Sequence, residues 1–467
     1  MLRIQSLFGL LTAGTIIFSV ACQNSATQEQ KAAQPEKAVV ETVGEDMMPA
    51  WAVNANIYEV NVRQYTPEGT FNAFAEHLDR LKNMGVKMLW LMPIYPISTT
   101  KKKGSLGSYY AVSDYTAVNP EFGTPEDFKN LVEKIHALDM KVILDWVPNH
   151  TGWDHVWIEE HPEYFTHIAD TITHPFMNGK LTDWYDVAEL NFDNMEMREE
   201  MTKALEYWIT EYDVDGYRCD VASEVPDDFW DTAVARLRAL KPVFMLAEAE
   251  HEPHRNSGNF HMSYPWSFMH LTNEMGKGKE DVNAIDTYLA ETSEKLEKGF
   301  QMSFTTNHDE NSWNGTEFER YGDAHQTFAV LTGTLTGMPL IYSGQEEPLK
   351  KRLAFFDKDD IEFGDFEYEG FYKTLLTVHR ENKALWNGVH GGQPVRLNES
   401  EEVYAFKREK DGDKVVVVLN FSDAEQTTKL SESVDGMIEI FTEEVGSGQQ
   451  ISLAPHGYKV YEQKASK

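Results

Sequence analysis

Residues 215 to 220 read Asp215-Gly216-Tyr217-Arg218-Cys219-Asp220. In an extended chain successive side chains point to opposite faces, so Arg218 and Asp220 share one face while Tyr217 and Cys219 share the other. Ionisable side chains at the end of a largely apolar run are costly unless paired or used. The Arg218 guanidinium on the same face is expected to lower the pKa of Asp220 and keep it ionised. Working outward, similar endings recur. Val243 to Ala247 is apolar and meets Glu248, Lys141 to Val147 carries Asp145 and runs into Asn149-His150, and Met302 to Thr306 leads to Asn307-His308-Asp309. With Asn56–Val62, Val86–Met92, Phe260–Tyr264 and Pro339–Ser343 they make eight strand candidates. Amphipathic stretches at 70–83, 125–138, 196–211, 227–240 and 327–336 predict helices between them. This is the count of an α/β protein of the (β/α)8 TIM-barrel class, which carries its chemistry at the C-terminal ends of its strands.

Two stretches fall outside that alternation. Between the third and fourth strand candidates, residues 150–194 show no strong periodicity and are too long for an ordinary βα loop, so they read as a short inserted domain B. After residue 388 the text changes to alternating segments, Val403–Arg408, Lys414–Asn420 and Gly457–Glu462, with a turn at Asp411-Gly412-Asp413. This predicts a C-terminal antiparallel β-sandwich over 389–467 and a barrel over 51–388. At the other end, Arg3 precedes an apolar run from Leu7 to Val20, which reads as a signal peptide over 1–21. The small residues before Cys22 resemble the bacterial lipoprotein box, with Cys22 as the lipidated residue. Residues 22–50 read as a flexible tether. The expectation is a bacterial outer-membrane lipoprotein, on the periplasmic face, that meets the membrane only through its lipid.

Composition limits the partners. The 467 residues include 42 basic and 76 acidic ones, a net charge of −34. Nucleic acid and anionic surfaces are therefore disfavoured, whereas a neutral ligand meets no such penalty. Hydrophobic content of 41% is enough for a large core and excludes a disordered chain. With two cysteines and Cys22 lipidated, Cys219 has no disulfide partner.

The strand-end set resembles the α-amylase family, glycoside hydrolase family 13. The family's four signatures stand here in order as Asp145-Trp146-Val147-Pro148-Asn149-His150, Gly216 to Asp220, the Glu248 strand end, and Asn307-His308-Asp309. Tyr109 to Tyr115, Phe122-Gly123-Thr124 and Gly337 to Glu346 look like the family as well. The resemblance implies Asp220 as nucleophile, Glu248 as acid/base and Asp309 as a third carboxylate gripping sugar hydroxyls. It also implies Tyr110 stacked under the sugar, with Asp145, His150, Arg218 and His308 around it. The substrate would be a neutral α-glucan of starch type, cleaved at α-1,4 bonds through a covalent intermediate. Transglycosylation and a non-catalytic glucan-binding protein stand as alternatives. The apolar approach to Glu248 is expected to raise its pKa, as a proton donor requires. Tyr109 competes with Tyr110, and Glu250 with Glu248. Asp220 is followed by Val221-Ala222-Ser223-Glu224 rather than a Lys-His pair, and Val187-Ala188-Glu189-Leu190-Asn191 is similar to a motif of the cyclomaltodextrinase and neopullulanase branch. No cofactor is needed for the chemistry. By the resemblance Asn149 matches a residue that often ligates a structural calcium in the family, but the matching His position is Glu224 here and the calcium loop of some members is absent from Tyr65 to Phe74, so the metal stays open. Trp153, Trp157, Trp184 and Trp266, near the barrel mouth, are candidate sugar platforms.

Overall fold

The strand candidates pair as the alternation demands. In the computed structural model, which describes residues 42–43, 48–250, 252–295 and 298–465, eight parallel strands close into one barrel. They are β1 (Ile57–Val60), β2 (Met88–Leu91), β3 (Lys141–Trp146), β4 (Gly216–Cys219), β5 (Phe244–Ala247), β6 (Met262–Ser263), β7 (Phe300–Ser303) and β8 (Met338–Tyr342). Each pairs with its neighbours in sequence, and β8 closes on β1 with Leu340 opposite Ile57. Ile57, Met88, Trp90, Ile143, Phe244, Leu246, Met302 and Leu340 fill the interior. Alternate residues such as Tyr217, Cys219, Met245 and Ala247 pack outward against the helices. This alternation brings Arg218 of β4, and Asp220 and Glu248 just past β4 and β5, to the inside.

Local signals set the helix ends. The helix Pro125–Ala137 starts with Pro125 behind a Thr124–Asp127 capping box, and Met195–Tyr212 starts at Asn194, whose side chain accepts from the Glu196 and Met197 N–H groups. The single helix expected over 70–83 is instead two pieces, Phe71–Ala75 and Leu78–Met84, joined by a tightened turn in which the His77 N–H reaches the Phe74 carbonyl.

Three expectations are corrected. Met48 is fully buried in the barrel core, so the last tether residues, 48–50, belong to the packed body. The sixth strand is only Met262–Ser263. The seventh begins at Phe300 and stops at Ser303, because Gly299 (φ +67) fixes the turn that delivers the Phe300 N–H to the His261 carbonyl. The seventh-strand signature therefore lies past the ladder, where the chain enters a helical turn. Most of the tether, the signal peptide and Cys22 lie outside the described residues. Among the described residues no helix is long and apolar enough to cross a membrane.

The insertion is bracketed by antiparallel pairing of His150–Gly152 with Val187–Glu189 and holds two small hairpins, His167–Ile168 with Thr171–Ile172 and Phe176–Met177 with Lys180–Leu181. The C-terminal region is a five-stranded antiparallel sheet covered on one side by the pair Gln426–Lys429 and Gln450–Leu453. Its central hairpin, Val403–Lys410 with Asp413–Asn420, turns at Asp411 and Gly412, both with positive φ, as a two-residue primed turn requires. The sheet's other face packs Tyr404, Phe406, Val417 and Leu419 on Phe328, Leu331 and Val378 of the barrel's helices.

Gly216 shows why the second signature begins with glycine. Its φ is +149, and a Cβ there would stand 1.9 Å from the Phe244 carbonyl oxygen of the neighbouring strand. Gly216→Ala must push β4 from β5 and is expected to destabilise the protein by about 2–4 kcal/mol. Urea unfolding at neutral pH measures this, and a change under about 0.5 kcal/mol contradicts it.

Candidate active site

The ladder places the two central carboxylates before any side chain acts. The Asp220 N–H donates to the Trp146 carbonyl at 2.8 Å and the Glu248 N–H donates to the Cys219 carbonyl at 2.9 Å, so both residues leave the barrel at one level. Beneath them lies Arg218, fully buried. Its Nη1 donates to Asp145 Oδ1 at 2.8 Å and to Asp220 Oδ1 at 2.9 Å, and its Nη2 stands 3.0 Å from Glu248 Oε2. Asp220 and Glu248 thus sit on the two nitrogens of one planar fork, which fixes their spacing. The rings of Trp90, Tyr110 and Tyr264 surround the guanidinium at 5.1, 5.7 and 5.5 Å.

A second set positions Asp309. Glu59 of β1 is buried and pairs through Oε1 with His308 Nδ1 at 2.5 Å. His308 Nε2 lies 2.8 Å from the Tyr110 hydroxyl and 3.2 Å from Asp309 Oδ2. The Tyr110 hydroxyl donates to Asp145 Oδ2 at 3.0 Å, so His308 Nε2 donates to it. Both ring nitrogens of His308 then serve as donors, the pattern of an imidazolium. Although burial opposes its charge, Asp309 and Glu59 raise its pKa to about 9. Asp309 leads directly into a π-helical turn, Glu310–Asn314, a geometry that recurs at functional sites.

Burial dominates the electrostatics. It lifts Asp220 to about 6, outweighing the pull of Arg218, while Asp145 raises it further. The expectation of a lowered value for Asp220 is therefore corrected: loss of hydration and the neighbouring carboxylate, both set by the closed barrel, exceed the local guanidinium. Burial lifts Glu248 to about 8, with Asp220 and Asp309 adding to the rise. The order of the two is as expected, and at neutral pH Asp220 is mostly ionised while Glu248 holds a proton. The Val221 N–H donates to Glu248 Oε2 at 2.9 Å and the Arg218 guanidinium pairs electrostatically with the same oxygen, which leaves Oε1 as the oxygen to carry that proton. The Val221 amide is aimed there by a left-handed backbone, φ 45 and ψ 41, a strained conformation for a β-branched residue.

These groups form the floor of a cavity of about 900 Å³. Tyr110, His150, Asp220, Glu248, His308 and Asp309 line it. Asp145 and Arg218 are fully buried beneath, so they hold the lining residues and do not face a ligand. Tyr109 turns away, under Arg63 at 4.1 Å. Glu250 lines the wall, but its carboxylate accepts from the Ser267 N–H and hydroxyl and from Gln301. Among the tryptophans, Trp184 and Trp266 line the cavity, Trp153 donates to the Tyr185 carbonyl, and Trp157 packs on Tyr115 and Tyr164. Asn149 lies beside His150 and its carbonyl accepts from Leu190, while Glu224 accepts the Asn178 N–H. Among the described residues no three His, Cys, Asp or Glu side chains stand together as a metal site. Sequence reasoning missed Glu59, Trp90, Phe355 and Trp313, of which Phe355 stacks near Tyr110 at 6.2 Å and touches the half-exposed Trp313 at 5.3 Å.

The profile of the family described as alpha amylase, catalytic domain, matches residues 24–187 and 181–362, most of the chain and all of the floor just described. This chain belongs to the alpha-amylase family of glycoside hydrolases. A second profile, described as a beta-galactosidase C-terminal domain, matches residues 403–463 of the terminal sheet. Among relatives, alpha-amylase MalA of Haloarcula japonica is 28% identical over 83% of this chain and 58% of its own. Alpha-amylase 3 of Dictyoglomus thermophilum is 27% identical over 82% and 88%. A cyclomaltodextrinase of Thermoanaerobacter pseudethanolicus, of the branch the sequence resembles, is 27% identical over 83% and 70%. The crystal structure of an alpha-amylase from Lactobacillus plantarum superposes with a TM-score of 0.78 at 28% identity, covering 89% of this family member and 100% of that chain.

Proposed function

We propose that the protein is a retaining α-glucan hydrolase acting on α-1,4-linked glucose chains. The carrying observation is the pair Asp220 and Glu248 on one guanidinium at the floor of a cavity walled by aromatic rings, with burial raising Glu248 above Asp220 so that one can attack while the other holds a proton. Asp220 attacks the anomeric carbon while Glu248 Oε1 protonates the departing oxygen. The ionised Glu248 then takes a proton from water, which opens the glycosyl–enzyme bond. Asp309 grips hydroxyls as the ring flattens, and the charge of His308 holds Asp309 in place. The names of the relatives support the substrate class. The N-terminal sequence from Met1 to Cys22 supports attachment to the bacterial outer membrane through Cys22, and the stretch Gln23 to Gln28, which holds no acidic run, supports the periplasmic face.

Proton NMR during digestion of maltoheptaose is the test. The α-anomer is expected first, with the β-anomer growing only by mutarotation. A β-first signal overturns the retaining mechanism, and no release from any α-glucan overturns the function. Products longer than the substrate in the same time course mark transfer to sugar in competition with water.

A further inference from the structure

The chain between β2 and the helix Pro125–Ala137 carries a short loop, residues 101–107, that is fastened on both sides of the cavity. On the barrel side the Leu106 N–H donates to the Phe356 carbonyl at 3.0 Å and the Ser105 N–H donates to Asp357 Oδ1 at 2.8 Å. Gly104 (φ +61) lies so close that a Cβ would come within 2.4 Å of Phe356 Cβ. On the insertion side Lys103 Nζ stands 2.7 Å from Asp186 Oδ1, and the Asp186 side chain is only 6% exposed. The same ammonium lies 4.7 Å from the Tyr185 ring and 5.9 Å from the Phe356 ring. Loop, insertion and the segment after β8 therefore meet in one bridge with a cation between two aromatic faces.

The bridge has a definite side. Phe356 packs on Phe355 at 5.1 Å, and Phe355 stacks near Tyr110 at 6.2 Å, so the wall runs from Tyr110 to Lys103. Glu248, Ala249 and Glu250 follow β5 and Trp266 follows β6, which stand across the closed barrel from β1 and β2, so these lining residues face the Tyr110 wall. A proton donor stands on the side of the leaving group, so the Glu248 side receives the departing sugar and the Tyr110 wall holds the sugar bonded to Asp220.

We propose that the Lys103–Asp186 bridge closes the glycone end of the cleft, so that the enzyme works from the non-reducing ends of α-glucan chains and releases short products of narrow size. This rests on the α-glucan hydrolase reading above. A linear chain abuts the bridge with its terminus, whereas a cyclic α-glucan has no terminus to place there and is turned over slowly.

The full-length protein, Lys103→Ala and Asp186→Asn are compared on amylose and on a cyclodextrin, with products sized by chromatography and loss of iodine colour plotted against new reducing ends. In the unmodified protein the iodine colour is expected to fall slowly per bond cut. Both variants are expected to raise the share of longer products by about tenfold, the scale on which pocket sterics discriminate, and to speed colour loss per bond cut. Asp186→Asn retains the lysine and its size, so agreement between the variants assigns the effect to the bridge rather than to a lost sugar contact. Folded, active variants with unchanged product lengths overturn the cap, as does rapid internal cutting by the unmodified protein. Absence of any α-glucan cleavage by the unmodified protein instead overturns the underlying function.

Discussion

Asp220→Asn will lower turnover on an α-1,4-glucan by about ten-thousandfold or more, the loss that follows removal of a covalent nucleophile. Asparagine keeps the size of the side chain and an oxygen for Arg218 Nη1, so the floor stays assembled while the attacking charge disappears. Its stability has a sign of its own. Asp220 is raised from 3.8 to about 6 by burial, so its favourable contribution is present only while it is protonated and is lost as pH rises through about 6. Asparagine does not titrate. The melting temperature of the variant should therefore gain on that of the unmodified protein between pH 4 and pH 7, read by calorimetry. Turnover within tenfold of the unmodified protein would remove Asp220 from the nucleophile role, and a gap that does not open with pH would remove the desolvation argument.

The barrel was legible because closed parallel strands keep a strict alternation. Arg218 and Asp220 turn inward and Tyr217 and Cys219 outward for a reason visible in six residues. The ends of strands were less legible, since pairing with a neighbour rather than local propensity decides where a ladder stops, as at Ser303. Glu59 carried a signal that went unused: a carboxylate inside Ile57-Tyr58-Glu59-Val60 is as costly as the others and likewise has a charged partner, His308. Phe355, Trp313 and Lys103 carried none, because they sit on loops whose paths are set by the insertion and the segment after β8. The pKa of Asp220 shows the same boundary between local and global. Residue 218 is read beside residue 220, but the dehydration and the charge of Asp145 that outweigh it exist only once the barrel closes. The left-handed Val221 is also beyond sequence reading, since a β-branched residue is the last expected there.

Glu248→Gln separates the two roles at the floor. Its amide oxygen can still accept from the Val221 N–H at the position of Oε2, beside the Arg218 guanidinium, but nothing at the position of Oε1 can release a proton to a departing sugar. Turnover on maltoheptaose should fall by about a hundredfold to ten-thousandfold, the usual worth of general acid catalysis. An aryl α-maltoside whose phenolate leaves without protonation should form its glycosyl–enzyme at a rate much closer to that of the unmodified protein, seen as a burst of phenolate. The pH profile adds a sign. In the unmodified protein kcat/KM should rise as Asp220 ionises near about 6 and fall as Glu248 loses its proton near about 8, the two limbs belonging to the coupled pair. In the variant the acid limb remains and the alkaline limb near 8 disappears. His308, raised to about 9, is the other group on the floor that gives up a charge on the alkaline side. An alkaline limb that survives in Glu248→Gln therefore assigns the titration to His308 and its grip on Asp309, and a variant without a burst on the activated substrate removes Glu248 from the acid role.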